Sequence, residues 1–233
     1  TDTKPTSVPA GSTFYEHDTG RLYITHDGTN WVFKPAGASL KTIQTELQAI
    51  TAVAADVQSI SSTLDLSGEE KKVIIFIDHA KDDASASAGQ GTEYVIQVSE
   101  KASGNDTWRG LADFTAAITA PTAMVTDGAE AAGQTLIECG VVTPVVGDIL
   151  FFKHSTIGSS EWANVIARSD GVSVTLESGL TTAQAQGTYY TQGAHWVLTI
   201  DTEAITRLRV VCNNTKGTTN RAIVWRCAAI TEA

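Results

Sequence analysis

Asp78-His79, followed at once by Asp82-Asp83, is the densest group of side chains in the sequence that could carry chemistry. Carboxylates beside an imidazole can hold a cation or act as an acid–base pair. The plainer reading is the solvated end of a strand running into the loop Ala84–Gly91, and it carries more weight because no partner motif accompanies the cluster. The five histidines, His17, His26, His79, His154 and His195, fall in different runs and form neither HxH nor HExxH, so no metal site is expected. No nucleophile elbow, phosphate loop or dinucleotide fingerprint occurs, and Ala88-Gly89-Gln90-Gly91 lies between strand-like runs with no helix N-terminus to receive phosphate. Cys139, Cys212 and Cys227 are widely spaced without a CxxC pair and read as small buried apolar residues. No catalytic residue, cofactor or enzymatic activity is expected. Trp108, Trp162, Trp196 and Trp225 are candidates for stacking on glycans, yet each sits in an alternating apolar run where a core role is commoner, with Trp162 at a strand end the exception. The sequons at Asn105 and Asn213 matter only in a secreted eukaryotic setting, which nothing else supports.

The elements that would position these residues belong to a chain of 233 residues, 42% hydrophobic, with a formal charge of −10. That is enough apolar material for a real core. The negative charge repels phosphate backbones and anionic lipids, so neither nucleic acid nor membrane is an expected partner. The segment TDTKPTSVPAGS lacks the layout of a secretory signal, and assembly in a cytoplasm is the expectation.

Residues 1–13 contain Pro5 and Pro9 without apolar periodicity and are expected to be an extended arm that needs a partner to fold. From Phe14 to Phe33, two Asx-Gly-type turns separate three aromatic or β-branched runs, the signature of a three-stranded meander. Phe14, Leu22, Ile24, Trp31 and Phe33 are expected on one face. The string VPAGSTFYEHDTGRLYITHDGTNWVF is similar to a short module that recurs in virion structural proteins of tailed bacteriophages, in capsid decoration, cement and head-fibre proteins and in tail-fibre components. The resemblance covers roughly the first 34 residues and rests on the VPxGSTFxExDTG start, the LYIxxDGTxW core and the closing aromatic. It implies a place in the virion and an attachment role, for which Phe14, Tyr15, Leu22, Tyr23 and Trp31 are the candidate contacts.

After Pro35-Ala36-Gly37 the pattern turns helical, with Ser39 as N-cap and Gly68 as stop. Leu40, Ile43, Leu47, Ile50, Val53, Val57, Ile60 and Leu64 follow at steps of 3, 4, 3, 3, 4, 3 and 4, a coiled-coil seam with one stammer. β-Branched residues at both seam positions point to a parallel homotrimer, with packing on the chain's own head as the alternative.

Beyond Gly68 the strand-like runs are Val73–His79, Glu93–Lys101, Thr107–Ala117, Thr135–Cys139, Asp148–His154, Trp162–Ala167, Val172–Leu176, His195–Asp201, Thr206–Cys212 and Arg221–Ala228. The expectation is a mainly β protein: an attachment module (1–38), an oligomerising helix (39–67) and a β-sandwich head (68–233), Ig-like or jelly roll, with a small β subdomain inserted at 140–187. Val73–Ile77, apolar on both faces, is expected in the centre of a sheet. The last two runs are expected to form a hairpin that sets Leu208 and Val210 opposite Trp225 and Ile223, with Arg207, Arg209 and Arg226 outward.

Two functions compete. A capsid decoration or cement protein would bind the major capsid protein through the arm and meander and stabilise the shell. A tail-fibre or receptor-binding protein would attach to a tail protein by the same arm and bind a host glycan with its head. A glycan depolymerase would need paired carboxylates at fixed separation, and no such pair stands out.

Overall fold

The computed structural model describes residues 3–16, 21–34, 43–66, 72–81, 91–104, 107–116, 123–139, 144–190, 193–215 and 222–232. The chain divides into two compact units, residues 1–42 with the C-terminal pair 232–233, and residues 43–231.

In the first unit β1 (Thr13–Glu16), β2 (Arg21–Thr25) and β3 (Trp31–Lys34) form the antiparallel meander β1-β2-β3. The register pairs Phe14 with Tyr23 and Thr25 with Trp31, while Leu22 pairs with Tyr15 and Ile24 with Thr13. Phe14, Tyr23 and Trp31 therefore share a face, and Leu22 and Ile24 stand at positions of the opposite parity. The expected grouping mixed the two because a turn of unknown length separates the runs, and one residue of slip exchanges the faces.

Residues 5–12 are tied to the meander as a strap. The Val8 amide donates to Gly28 O at 3.0 Å, the Gly11 amide to Thr25 O at 2.6 Å and the Thr25 amide to Ser12 O at 3.0 Å. Trp31 Nε1 donates to Pro5 O at 2.7 Å, and the Lys4 ammonium lies 3.9 Å from the centroid of the Tyr23 ring. The two prolines suit this strap, since their fixed φ removes part of the entropy that ordering costs. Asp27 accepts from the amides of Thr29 and Asn30 at 2.8 and 2.7 Å. Those backbone donors, Asn30 first, hold its carboxyl well below the usual range. At Gly28 φ is +79°, and a Cβ would stand 2.0 Å from Val8 O, so only glycine lets the strap close here.

No helix occupies residues 43–66. They form β4 (Ile43–Val53), β5 (Gln58–Ile60) and β6 (Leu64–Asp65). Leu40 lies outside the described residues, as does the side chain of Ile43. Leu47, Val53 and Leu64 are buried in the main core, Ile50 packs on the opposite face of its sheet, and Val57 and Ile60 are 45% and 44% exposed. The seam was thus a strand buried on both faces: Leu47 in, Ile50 out and Val53 in. Odd steps that reverse faces in a strand imitate the 3-and-4 repeat of a helix. The segment is also rich in Thr, Val and Ile and poor in the charge pairs that support a helix. With the seam goes the ground for a coiled-coil homotrimer.

The remaining strands of the sandwich are β7 (Lys72–Lys81), β8 (Thr92–Ser99) and β9 (Arg109–Ala116). Between them and the C-terminal strands come β10 (Ala123–Val125), β11 (Leu136–Glu138), β12 (Ile149–Phe152), β13 (Glu161–Ser169), β14 (Ser173–Leu176) and β15 (Thr188–Tyr190). The chain closes with β16 (Gly193–Asp201), β17 (Arg207–Asn213) and β18 (Ile223–Glu232). One sheet runs β16-β7-β18-β4, the facing sheet β5-β17-β8-β9 with β6 also on β17. Val73, Ile75 and Ile77 from the first sheet and Ile96, Leu208 and Val210 from the second meet in one core, and β7 is central as its two apolar faces require.

β17 and β18 are not a hairpin. They belong to opposite sheets, yet Leu208, Val210, Ile223 and Trp225 still share the core because the sheets face each other. Nor is Arg207 exposed: it is 9% accessible. Its Nε donates to Lys101 O at 2.6 Å and Nη2 to Gly104 O at 2.8 Å, so its charge is met by carbonyls of the loop that covers it.

Strands β10 to β15 make a separate six-stranded sheet in the order β10-β15-β12-β13-β14-β11. Thr126 and Cys139, just past its two edge strands, are bridged, which curls the sheet around its own core of Ile137, Leu150, Phe152, Val165, Val174 and Leu176.

Candidate functional site

Sheet β16-β7-β18-β4 buries one face in the sandwich. Alternation turns Phe76, Asp78 and Ala80 of β7, Val224, Arg226, Ala228 and Ile230 of β18, and His195 and Val197 of β16 to the other. At one end that outer face is covered by the six-stranded sheet, where Ala80, Val224 and Ile50 meet Phe151, Ile157 and Trp162. Trp162 Nε1 donates to His79 O at 3.0 Å. The approach at Gly193 is so close that a Cβ would stand 2.3 Å from Trp162 Cδ1, which fixes glycine there.

Where this cover stops, Asp78 joins three strands: Oδ1 meets His195 Nδ1 and Oδ2 accepts from Arg226 Nε. Its side chain is 13% exposed. Burial alone would raise the carboxyl, but His195 and Arg226 outweigh it and hold it below its ordinary value. The Arg226 guanidinium also lies over the Trp162 ring, 5.2 Å from its centroid. Arg226 is thereby held on both sides while remaining partly open to solvent.

Beyond Asp78 and Arg226 the outer face opens into a groove of about 350 Å³ whose floor is Phe76, Ala228 and Ile230. One wall is edge strand β4, which presents Gln44, Glu46 and Gln48. Two register shifts against β18, flanking Cys227, bend the strand at this point, as β-bulges do beside binding sites.

The sequence cluster Asp78-His79 is therefore split. Asp78 faces the groove, while His79 points into the core, 0% exposed, with Nδ1 2.7 Å from Tyr94 Oη. Asp82 and Asp83 lie outside the described residues, as do most of Ala84–Gly91 and His17. Trp225 is fully buried, Trp196 packs against the main core, and Trp108 lies beneath Arg207 and Arg209. The cysteines Cys139, Cys212 and Cys227 are free and buried, and burial pushes the thiols of Cys212 and Cys227 up to about 12. Among the described residues no group of three or more His, Cys, Asp or Glu side chains could hold a metal ion.

Of the candidate attachment residues, Phe14 and Trp31 have ring centroids 5.8 Å apart, and Tyr23 lies under Lys4. Tyr15 and Leu22 are paired across β1 and β2. The strap thus covers part of the aromatic face that attachment would use. His195 and Arg226, which complete the Asp78 site, stand 117 and 148 residues away in sequence. The only local signal for them is that both fall at outward positions of strand-like runs.

No family model matches the chain, and no curated protein does. Among solved structures, the infectious bursal disease virus VP2 subviral particle is similar at 8% identity and a TM-score of 0.23, over 90% of this chain and 45% of that one. The Gx strain of the same virus gives 8% identity and 0.23, over 90% and 44%. VP17, a capsid protein of bacteriophage P23-77, gives 11% and 0.18, over 84% and 97%. The chain spans less than half the length of the bursal disease virus chains it matches. Superpositions with scores this low do not establish a common fold.

Proposed function

We propose that this chain is a structural component of a tailed-phage particle, a capsid decoration or cement protein that holds the coat lattice through its N-terminal module and displays the sandwich outward. The observation that carries this reading is that the residues resembling a virion module, 8–33, lie within a compact unit separate from the sandwich. That unit has its own meander and strap. A module with its own fold can be joined to many heads, as an attachment device requires. Copies arrayed on a shell bind neighbouring coat subunits at high effective concentration, so modest contacts per copy reinforce the lattice. Such multivalency needs no coiled coil.

A second reading, a receptor-binding component of a tail, is favoured by the groove on the outer face of sheet β16-β7-β18-β4, since a polar-walled groove on a displayed head suits ligand capture.

Gly28→Ala tests the attachment role. The added Cβ opposes the strap at Val8 and costs the module about 1–3 kcal/mol, while the sandwich keeps its own unfolding transition. Cosedimentation with particles lacking the protein is expected to weaken several-fold. Undiminished cosedimentation by a variant whose Val8 amide exchanges freely would place attachment elsewhere in the chain.

A further inference from the structure

The outer face of a sandwich sheet ordinarily alternates toward water with polar side chains. Here Phe76, Ala228 and Ile230 take those positions, and Val197, opposite Phe76 on β16, is 61% exposed. This apolar floor carries a polar rim. Gln44 and Glu46 have no side-chain partner among the described residues, Gln48 bonds only the neighbouring carbonyl of Ala49, and Arg226 is anchored through Nε by Asp78.

We propose that this groove binds a neutral saccharide. Phe76, half-buried in the groove lining, supplies an aromatic side chain on which the C–H face of a pyranose can pack. Around it stand both donors and acceptors, the guanidinium of Arg226, the amides of Gln44 and Gln48 and the carboxylate of Glu46, as vicinal hydroxyls require. About 350 Å³ lies at the small end of the range for ligand sites. Charge selects among ligands: Asp78 and Arg226 balance each other, which leaves Glu46 as the remaining charge among the described residues lining the groove and disfavours an anionic sugar or a phosphate. A wholly apolar ligand would strip water from Gln44, Glu46 and Gln48 without replacing its hydrogen bonds. Arg226 is preorganised between Asp78 and Trp162, so little freedom is lost on binding. The inference is independent of whether the chain sits on shell or tail.

The test is NMR titration of the full chain with glucose, galactose, N-acetylglucosamine and their β-linked disaccharides, following the side-chain amides of Gln44 and Gln48 and the Trp162 indole. At least one sugar is expected to shift these signals saturably. Phe76→Ala is expected to weaken binding about tenfold, and Glu46→Ala, at an exposed position that leaves the fold intact if Phe76→Ala does not, to weaken it several-fold. Val32→Ala in the other unit should change nothing. Silence of the three side chains toward every sugar would overturn the proposal. So would equal affinity in both groove variants, shifts with sialic acid or inorganic phosphate alone, or shifts that follow protein concentration without sugar, the last marking a contact between copies.

Discussion

Acidification to about pH 4 is expected to cost the sandwich about 3 kcal/mol through His79 alone. The side chain is fully buried between the sheets, its ring edge-on to Tyr94 with centroids 5.7 Å apart and 5.9 Å from that of Trp196. Nε2 has no hydrogen-bond partner among the described residues. Burial above all, and the Lys81 ammonium after it, lower the imidazolium from 6.5 to about 3. The unfolded chain takes up a proton near 6.5 and the folded chain only near 3, so between those values the unfolded state binds more protons and stability rises with pH. The contribution is whole above about pH 6.5 and drains away toward about pH 3. Asp78, whose carboxyl is depressed, contributes stability present above its unfolded value near 4 and lost below it, so it enters only at the acid end. Urea midpoints of the wild type and His79→Phe, compared from about pH 7 down to about pH 4, separate the two. The variant should lack most of the slope across this window, and an equal slope in both proteins would show that His79 is protonated in the folded state.

Leu47→Ala is expected to cost about 2–5 kcal/mol, the range for truncating a large aliphatic side chain in a packed core. Leu47 is 2% exposed and shares its cluster with Trp225, Ile75 and Leu208, so the void would open between the sheets. Loss of stability in denaturant without any change in the mass of the native species is the expected pair of results. A change in oligomeric state with the sandwich's stability unaltered would return Leu47 to the coiled-coil seam. Val57→Ala is the contrast: buried in that seam it would cost about 1–3 kcal/mol, whereas at its exposed position it should change stability by less than about 0.5 kcal/mol.

Both side chains belong to the stretch whose pattern misleads, whereas other stretches of the fold are plain from their residues. Val73 to Ile77 is apolar on both faces, and only a central strand buries both, so β7 was legible from five residues. The meander was legible for a similar reason, since short runs between Asx-Gly turns leave the backbone few alternatives. Residues 43–66 misled because β4 buries Ile50 under the six-stranded sheet and Leu47 and Val53 under the facing sheet. Periodicity cannot tell two buried faces of a strand from one stripe of a helix. The pairing of β17 failed for another reason. Adjacent runs joined by a short loop usually form a hairpin, and nothing local announces a crossing between sheets. The Asp78 site was half visible: the carboxylate stood out, but its partners arrive from β16 and β18, and only the register of the finished sheet brings them together.

The structure also changes what attachment demands. Under the proposed attachment role, an arm strapped across the meander by Val8, Gly11 and Trp31 would leave little ordering entropy to oppose each contact, which would form on the strapped surface rather than on the aromatic side chains beneath it.

Electron microscopy of intact particles carrying a labelled form of this chain distinguishes shell from tail. Regular density over the icosahedral shell, with the N-terminal module against the coat, is the expected result for a decoration protein, and density confined to the tail would overturn that assignment.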